Sequence, residues 1–423
     1  MKAIAIRPRR RRSRVMLQAV MACALALLLS AGAARAVEET TVDGVLHVRN
    51  GAEPSGGTET VVLEELWRVG GEDEDVFFGL VAQVLVDDQN TVYLLDSQLS
   101  QVEVFSAEGE HLRTVGRQGE GPGEFNAAFD MVFMPDGTLG VSQSFPGKLV
   151  KIARDGTPAG VFQPSFRDAT AGGFLVLVNC LSAGGNLVLA GLDIAFDQAT
   201  FTQVRRNFVA SFGEDGMVQT TYVSVEKTWE LRDFTLTDDL QDAVWGRLDV
   251  GADGKVVCGI PRNEYALTVF DRDGSVDRVI ERAYESWSRN EKARARQTAQ
   301  DEGIMRQLPP GADFEVADLA PDIAALDVRA DGSIWVMTSR SQFTAAPGDY
   351  TYDVFSPEGE FVKQVTLQAG GRADEDQLVL GGGGLVFRVT GFWDALTAVI
   401  GGSGSGSEDA EAAPMEVICY RSR

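Results

Sequence analysis

Carboxylates dominate the side chains that could do chemistry in this 423-residue sequence: 62 Asp and Glu stand against two histidines and four cysteines. Any Ser-His-Asp triad or His-ligated metal would have to use His47 or His111, and neither sits in a suitable neighbourhood. That scarcity argues against several common hydrolase chemistries. Cys180, Cys258 and Cys419 are far apart and lack C-x-x-C spacing, so they form neither a disulfide framework nor a structural zinc site. Each falls in a different stretch of strand, and three free thiols are expected. Asp130, Asp242 and Asp322 stand at or just before the start of strands, where oxygen ligands of different segments can meet.

Two further patterns have a chemical look and a structural explanation. The glycine run at 116–125 (Gly-Arg-Gln-Gly-Glu-Gly-Pro-Gly-Glu-Phe) could pass for a phosphate loop. A phosphate cradle needs a helix N-terminus behind it, whereas a strand-like Phe-Asp-Met-Val-Phe follows at 129–133. Glu120 and Glu124 would also repel the anion. The run is expected to be a tight crossing with Phe125 as a wedge. Asp271-Arg272-Asp273-Gly274 echoes half of a calcium loop but lacks the later ligands and the closing Glu. It is a hairpin turn, as Asp and Gly tolerate positive φ.

The elements that must position these residues are short strands in a repeating unit. In the clearest copy, 81–86, 91–96, 102–105 and 111–115 are apolar runs separated by turn signals, a four-stranded antiparallel meander. Its first turn returns as Pro135-Asp136-Gly137, Gly184-Gly185-Asn186, Asp253-Gly254, Asp331-Gly332 and the glycines at 381–384. Its last turn returns as Asp155-Gly156, Asp215-Gly216, Asp273-Gly274 and Glu358-Gly359. That makes five complete units. A sixth, from 385 to 420, lacks a fourth strand, which residues 61–69 can supply. Pairing the two chain ends in one blade closes a ring and removes open sheet edges.

The connector at 116–125 resembles the G-x-G-x-G-P-G-E-F connector of NHL-repeat-like six-bladed β-propellers, within the TolB-like six-bladed propeller superfamily. The hairpins that begin at Asp130 and Leu326 resemble that family's inner hairpin. The resemblance covers residues 60–423. It implies an all-β, six-bladed propeller and an extracytoplasmic setting, but no single activity, because members include binding scaffolds, lyases and lactonases. Lactonase-type relatives hold a divalent metal such as calcium at the channel mouth with Glu, Asp and Asn oxygens. By that likeness Asp130, Asp242 and Asp322 are the candidate metal ligands, with surface or turn-capping aspartates as the other reading.

The ends and insertions complete the plan. Residues 1–36 read as a signal peptide, with a basic start, an apolar run at 15–29 and Ala34-Arg35-Ala36 before the acidic residues that follow. The export route, general secretory or twin-arginine, stays open. Its removal leaves 30 basic against 62 acidic residues, a net charge of −32 that repels nucleic acid and anionic lipid. Residues 37–59 form an N-terminal extension. Residues 282–318 break the repeat, where Ser288-Arg289-Asn290-Glu291 reads as a capping box for a helix. That helix is either solvated on the rim or a lid over the central funnel. Residues 401–414 read as a flexible acidic loop.

In a four-stranded meander the second-to-third loop and the connector to the next blade share one end. Every long segment falls there: 116–125, 193–201, 282–318, 342–349 and 401–414. The expected protein is a periplasmic or secreted monomer without a membrane span after signal cleavage. It is a non-enzymatic binding or scaffold propeller that offers this face to a protein, glycan or envelope ligand. The alternative is a metal-assisted hydrolase or lyase at the channel mouth.

Overall fold

Alternating apolar residues and Asp-Gly turns build six four-stranded blades around a central axis. The computed structural model describes residues 37–72, 76–166, 173–232, 234–308, 311–401 and 414–422. Residues 1–36, expected to be a signal peptide, and residues 402–413 of the expected acidic loop lie outside them. Three strands come first: β1 (Glu38–Val42), β2 (Val45–Asn50) and β3 (Thr58–Gly70). Blade 1 is β4 (Val81–Val86), β5 (Val92–Asp96), β6 (Gln101–Phe105) and β7 (His111–Val115). Blade 2 is β8 (Ala128–Phe133), β9 (Leu139–Gln143), β10 (Lys148–Ile152) and β11 (Pro158–Phe162). Blade 3 has longer strands: β12 (Phe174–Ala183), β13 (Asn186–Asp197), β14 (Thr202–Phe212) and β15 (Val218–Glu230).

A short strand β16 (Thr235–Thr237) and helix α1 (Asp238–Gln241) lead to blade 4. That blade is β17 (Leu248–Val250), β18 (Val256–Cys258), β19 (Ala266–Phe270) and β20 (Val276–Arg282). Helix α2 (Glu291–Met305) and strand β21 (Asp313–Glu315) precede blade 5. Blade 5 is β22 (Ile323–Val328), β23 (Ile334–Thr338), β24 (Asp349–Phe355) and β25 (Phe361–Gln368), with α3 (Ser339–Thr344) between its second and third strands. Blade 6 is β26 (Gln377–Leu380), β27 (Leu385–Val389), β28 (Glu416–Ser422) and part of β3, with α4 (Phe392–Gly401) before β28.

The chain ends close the ring, with one revision. Val417 pairs with Val69, Ile418 with Arg68 and Cys419 with Trp67, antiparallel as expected. Residues 58–62, including Val61 and Val62, instead pair in parallel with residues 364–368 of β25. A 13-residue strand spans about 43 Å at 3.3 Å per residue, longer than one blade edge needs, so β3 crosses from blade 5 to blade 6. The extension before it is sheet as well. β2 runs parallel to β20, with β1 outside it, so the first strands cover the outer edges of blades 4 and 5.

Cores form where neighbouring blades stack. Val102, Val104 and Val115 of blade 1 pack with Met131, Val141 and Ile152 of blade 2, and Phe125 is wedged among them, fully buried. Gly116 has φ +76°, and a Cβ there would collide with the Phe125 ring. Cys180, Cys258 and Cys419 are buried free thiols in these cores.

The long segments join at one end of the blades. β16 and β21 pair in parallel, tying the connector into blade 4 to the connector into blade 5. Trp229, Phe234 and Leu236 pack there with Ile304, Met305 and Phe314, a small core separate from the blades. The cap of α2 sits two residues later than the sequence pattern implied. Asn290, not Ser288, is the N-cap, and its side-chain oxygen accepts from Ala293 N. Ser288 is taken by a bridge to Leu319. No helix among the described residues is long and apolar enough to cross a membrane.

Candidate ligand-binding site at the channel mouth

Two cavities meet at the mouth of the central channel. The inner one, about 260 Å³, is the channel itself, lined by innermost-strand residues such as Gln83, Asn179, Leu248, Leu326 and Leu378. Trp245, Met337, Tyr350 and Tyr352 give it aromatic and apolar surface, beside the polar Asp327, Asp376 and Gln377. The outer one, about 240 Å³, is a vestibule beneath α2, lined by Arg247, Arg289, Arg296, Gln300, Phe343 and others. Gly246, Ala324, Gln342 and Trp393 border both.

The vestibule is assembled by the connectors and second-to-third loops of blades 4, 5 and 6. Docking of α2 is polar. Arg289 donates to the Ala317 and Leu319 carbonyls at 2.5 and 3.0 Å, and Arg296 donates to the Asp374 carbonyl. Lys292 meets Asp374 and Glu375 at 2.8 Å each. Trp287 stacks on Phe343, with centroids 5.8 Å apart. The helix therefore covers the funnel mouth; it does not lie free on the rim. Buried Asp238 at the start of α1 receives Arg262, Arg289 (2.5 Å) and the Ala317 N–H (2.8 Å), which locks the two connectors together.

The three acids expected to hold a metal have other partners. Asp130, buried on β8, accepts from Gln83 Nε2 (2.8 Å), Met131 N (2.8 Å) and Cys180 N (2.7 Å), which braces the innermost strands of blades 1, 2 and 3. Burial pushes its carboxyl up to about 6, against those three donors. Asp242 is occupied by Arg247, whose Nη2 meets its two oxygens at 2.9 and 3.0 Å. Asp322 accepts from Ser286 Oγ at 3.1 Å, its other oxygen is buried without a partner, and burial raises its pKa. Among the described residues no group of three or more His, Cys, Asp or Glu is arranged to hold a metal. Calcium takes six to eight oxygens, and a cation at Asp242 would face Arg247 and two further arginines. These residues do not fit a divalent cation.

Asp249 of β17 repeats the brace two blades on, accepting from Val250 N (2.7 Å) and from Val328 N of blade 5 (2.6 Å). Burial raises its pKa, and the nearby Asp327 carboxylate adds to the rise. The histidines stand far from this work on outer strands: His47 on β2 lies 3.4 Å from Glu281, and His111 on β7 lies 2.6 Å from Glu103.

A family comparison agrees with these six meanders closed by the termini. Residues 73–133 match a family described as a 6-bladed beta-propeller. This chain is a six-bladed β-propeller. The propeller has no significant match among curated proteins. Solved structures similar to it include a candidate exported protein of Bacteroides fragilis, at 11% identity over 89% of this chain and 99% of that one, TM-score 0.49. Regucalcin of Agrobacterium tumefaciens, a calcium-binding protein, is 10% identical over 86% and 97%, TM-score 0.41. An inactive virginiamycin B lyase of Staphylococcus aureus, solved with quinupristin, is 9% identical over 76% and 80%, TM-score 0.39. Likeness at this level carries nothing about activity.

Arg247, Arg289 and Arg296 are the site residues that sequence reasoning passed over. Of the three, only Arg296 falls in the Arg-Ala-Arg run at 294–296, on a helix with no apolar stripe. A helix of that kind must be held by polar docking.

Proposed function

We propose that this propeller is an exported, non-enzymatic binding protein that takes its ligand in the capped channel mouth. The observation that carries the reading is the two-compartment recess, which connectors and loops of three blades build on the long-loop face. Recesses of a few hundred Å³ with an apolar wall and a few convergent polar groups are the usual form of a small-ligand seat. A recess suits a small molecule, or one group inserted from a glycan or protein, better than a broad flat partner. The placement of both histidines on outer strands supports binding over acid–base catalysis.

Ala324 borders both compartments, so Ala324→Trp plugs their junction. Saturation-transfer NMR with a set of neutral, cationic and anionic fragments should find binders of the mature protein that the plugged variant loses, with an unchanged circular dichroism spectrum. Fragments that bind both proteins alike, or a wild type that takes none, would place recognition elsewhere.

A further inference from the structure

Three arginines, Arg247, Arg289 and Arg296, line the vestibule against one carboxylate, Asp242. Arg296 is nine-tenths buried, and the carboxylate it meets, Asp394, stands 4.0 Å away and is 79% exposed. Its Nη1 is buried with no hydrogen-bond partner. The guanidinium sits 5.1 Å from the Phe343 ring centroid and 5.6 Å from that of Trp393. Arg247 is 4% exposed; Asp242 and the Ala243 carbonyl occupy its Nη2, while its Nε is buried without a partner. Arg262 and Arg289 share the carboxylate of Asp238. Burial without an acceptor disfavours a charged donor, and Arg296 is shifted down by its desolvation.

A ligand bringing one planar anionic group would offset the positive charge of this lining. Arginine pairs with carboxylate through parallel N–H bonds, and aromatic rings on either side hold the fork flat. Asp242 and Asp301 nearby oppose a second negative charge, which disfavours a phosphate dianion. Beyond the vestibule, Trp245, Met337, Tyr350 and Tyr352 offer apolar contact to a ligand's body, beside polar side chains such as Gln83 and Asn179.

We propose that the site binds an organic monocarboxylate, its head on Arg296 and Arg247 in the vestibule and its apolar body in the channel. The proposal rests on the binding reading above and adds the class of ligand.

Isothermal titration of residues 37–423 with octanoate, octanamide and inorganic phosphate tests it. Octanoate should bind at least tenfold more tightly than octanamide. Arg296→Gln should weaken octanoate tenfold or more and leave octanamide within twofold, while Arg296→Lys, which keeps the charge without the fork, should fall between. Equal binding of octanoate and octanamide, both lost in Ala324→Trp, would overturn the anionic head and leave the binding reading standing. Phosphate bound without octanoate, or no probe bound at all, would overturn the ligand class. Octanoate binding untouched by Ala324→Trp would sink both readings.

Discussion

Asp130 braces three innermost strands with one carboxylate, and its ionisation should be visible in the stability of the whole ring. Its folded pKa of about 6 lies above the unfolded value near 4. The folded state therefore binds the proton more strongly. The stabilising contribution is complete below the unfolded pKa and is lost as pH rises through the folded one. Two units correspond to about 2–3 kcal/mol. Urea melts of Asp130→Asn should lack that share of the fall between pH 4 and pH 6. Absolute stability should drop too, since an amide would turn one donor toward another. An unchanged slope would show that Asp130 stays ionised throughout. The sequence marked Asp130, Asp242 and Asp322 by places beside strands. That holds for Asp130 on β8 and Asp322 just before β22, whereas Asp242 caps the C-terminus of α1, six residues ahead of β17. Their partners were not legible. Gln83 and Cys180 lie 47 and 50 residues from Asp130, and only the ring brings them together.

Helix α2 shows the same divide at the level of an element. Its existence was legible from the helix-favouring run that begins at Glu291. Its place was not, because no apolar stripe named a face and its attachment runs through arginines to backbone carbonyls. The cap should govern how firmly it stays. Losing an N-cap side chain costs about 1 kcal/mol, roughly a fivefold change in a local opening equilibrium. Hydrogen exchange of Asn290→Ala should be about fivefold faster across the amides of residues 291–305 and unchanged in the blades. Faster exchange spread through the blades would mean that α2 belongs to their cooperative unit.

Across the whole molecule, what repeats was readable and what wraps was not. Each Asp-Gly or Glu-Gly turn signals its own hairpin, so six blades and their common long-loop end follow from local residues. Strands β1 and β2 carry no copy of the unit. Their pairing with β20 depends on a segment more than 200 residues away. If these strands guard the edge of blade 4, deleting 37–50 should leave the circular dichroism spectrum of the blades but expose β20. Light scattering should then show concentration-dependent association that the mature chain lacks. A deletion that remains as dispersed as its parent would make the outer strands dispensable to edge protection.

The crossing strand β3 also sets a timetable. Gly70 pairs with Glu416, about 350 residues downstream. At roughly 5–20 residues per second, synthesis separates the two partners by on the order of half a minute. Through that interval residues 63–70 of β3 lack their antiparallel partner, and the ring stays open. The ring can close only once the seven residues of β28 have been made.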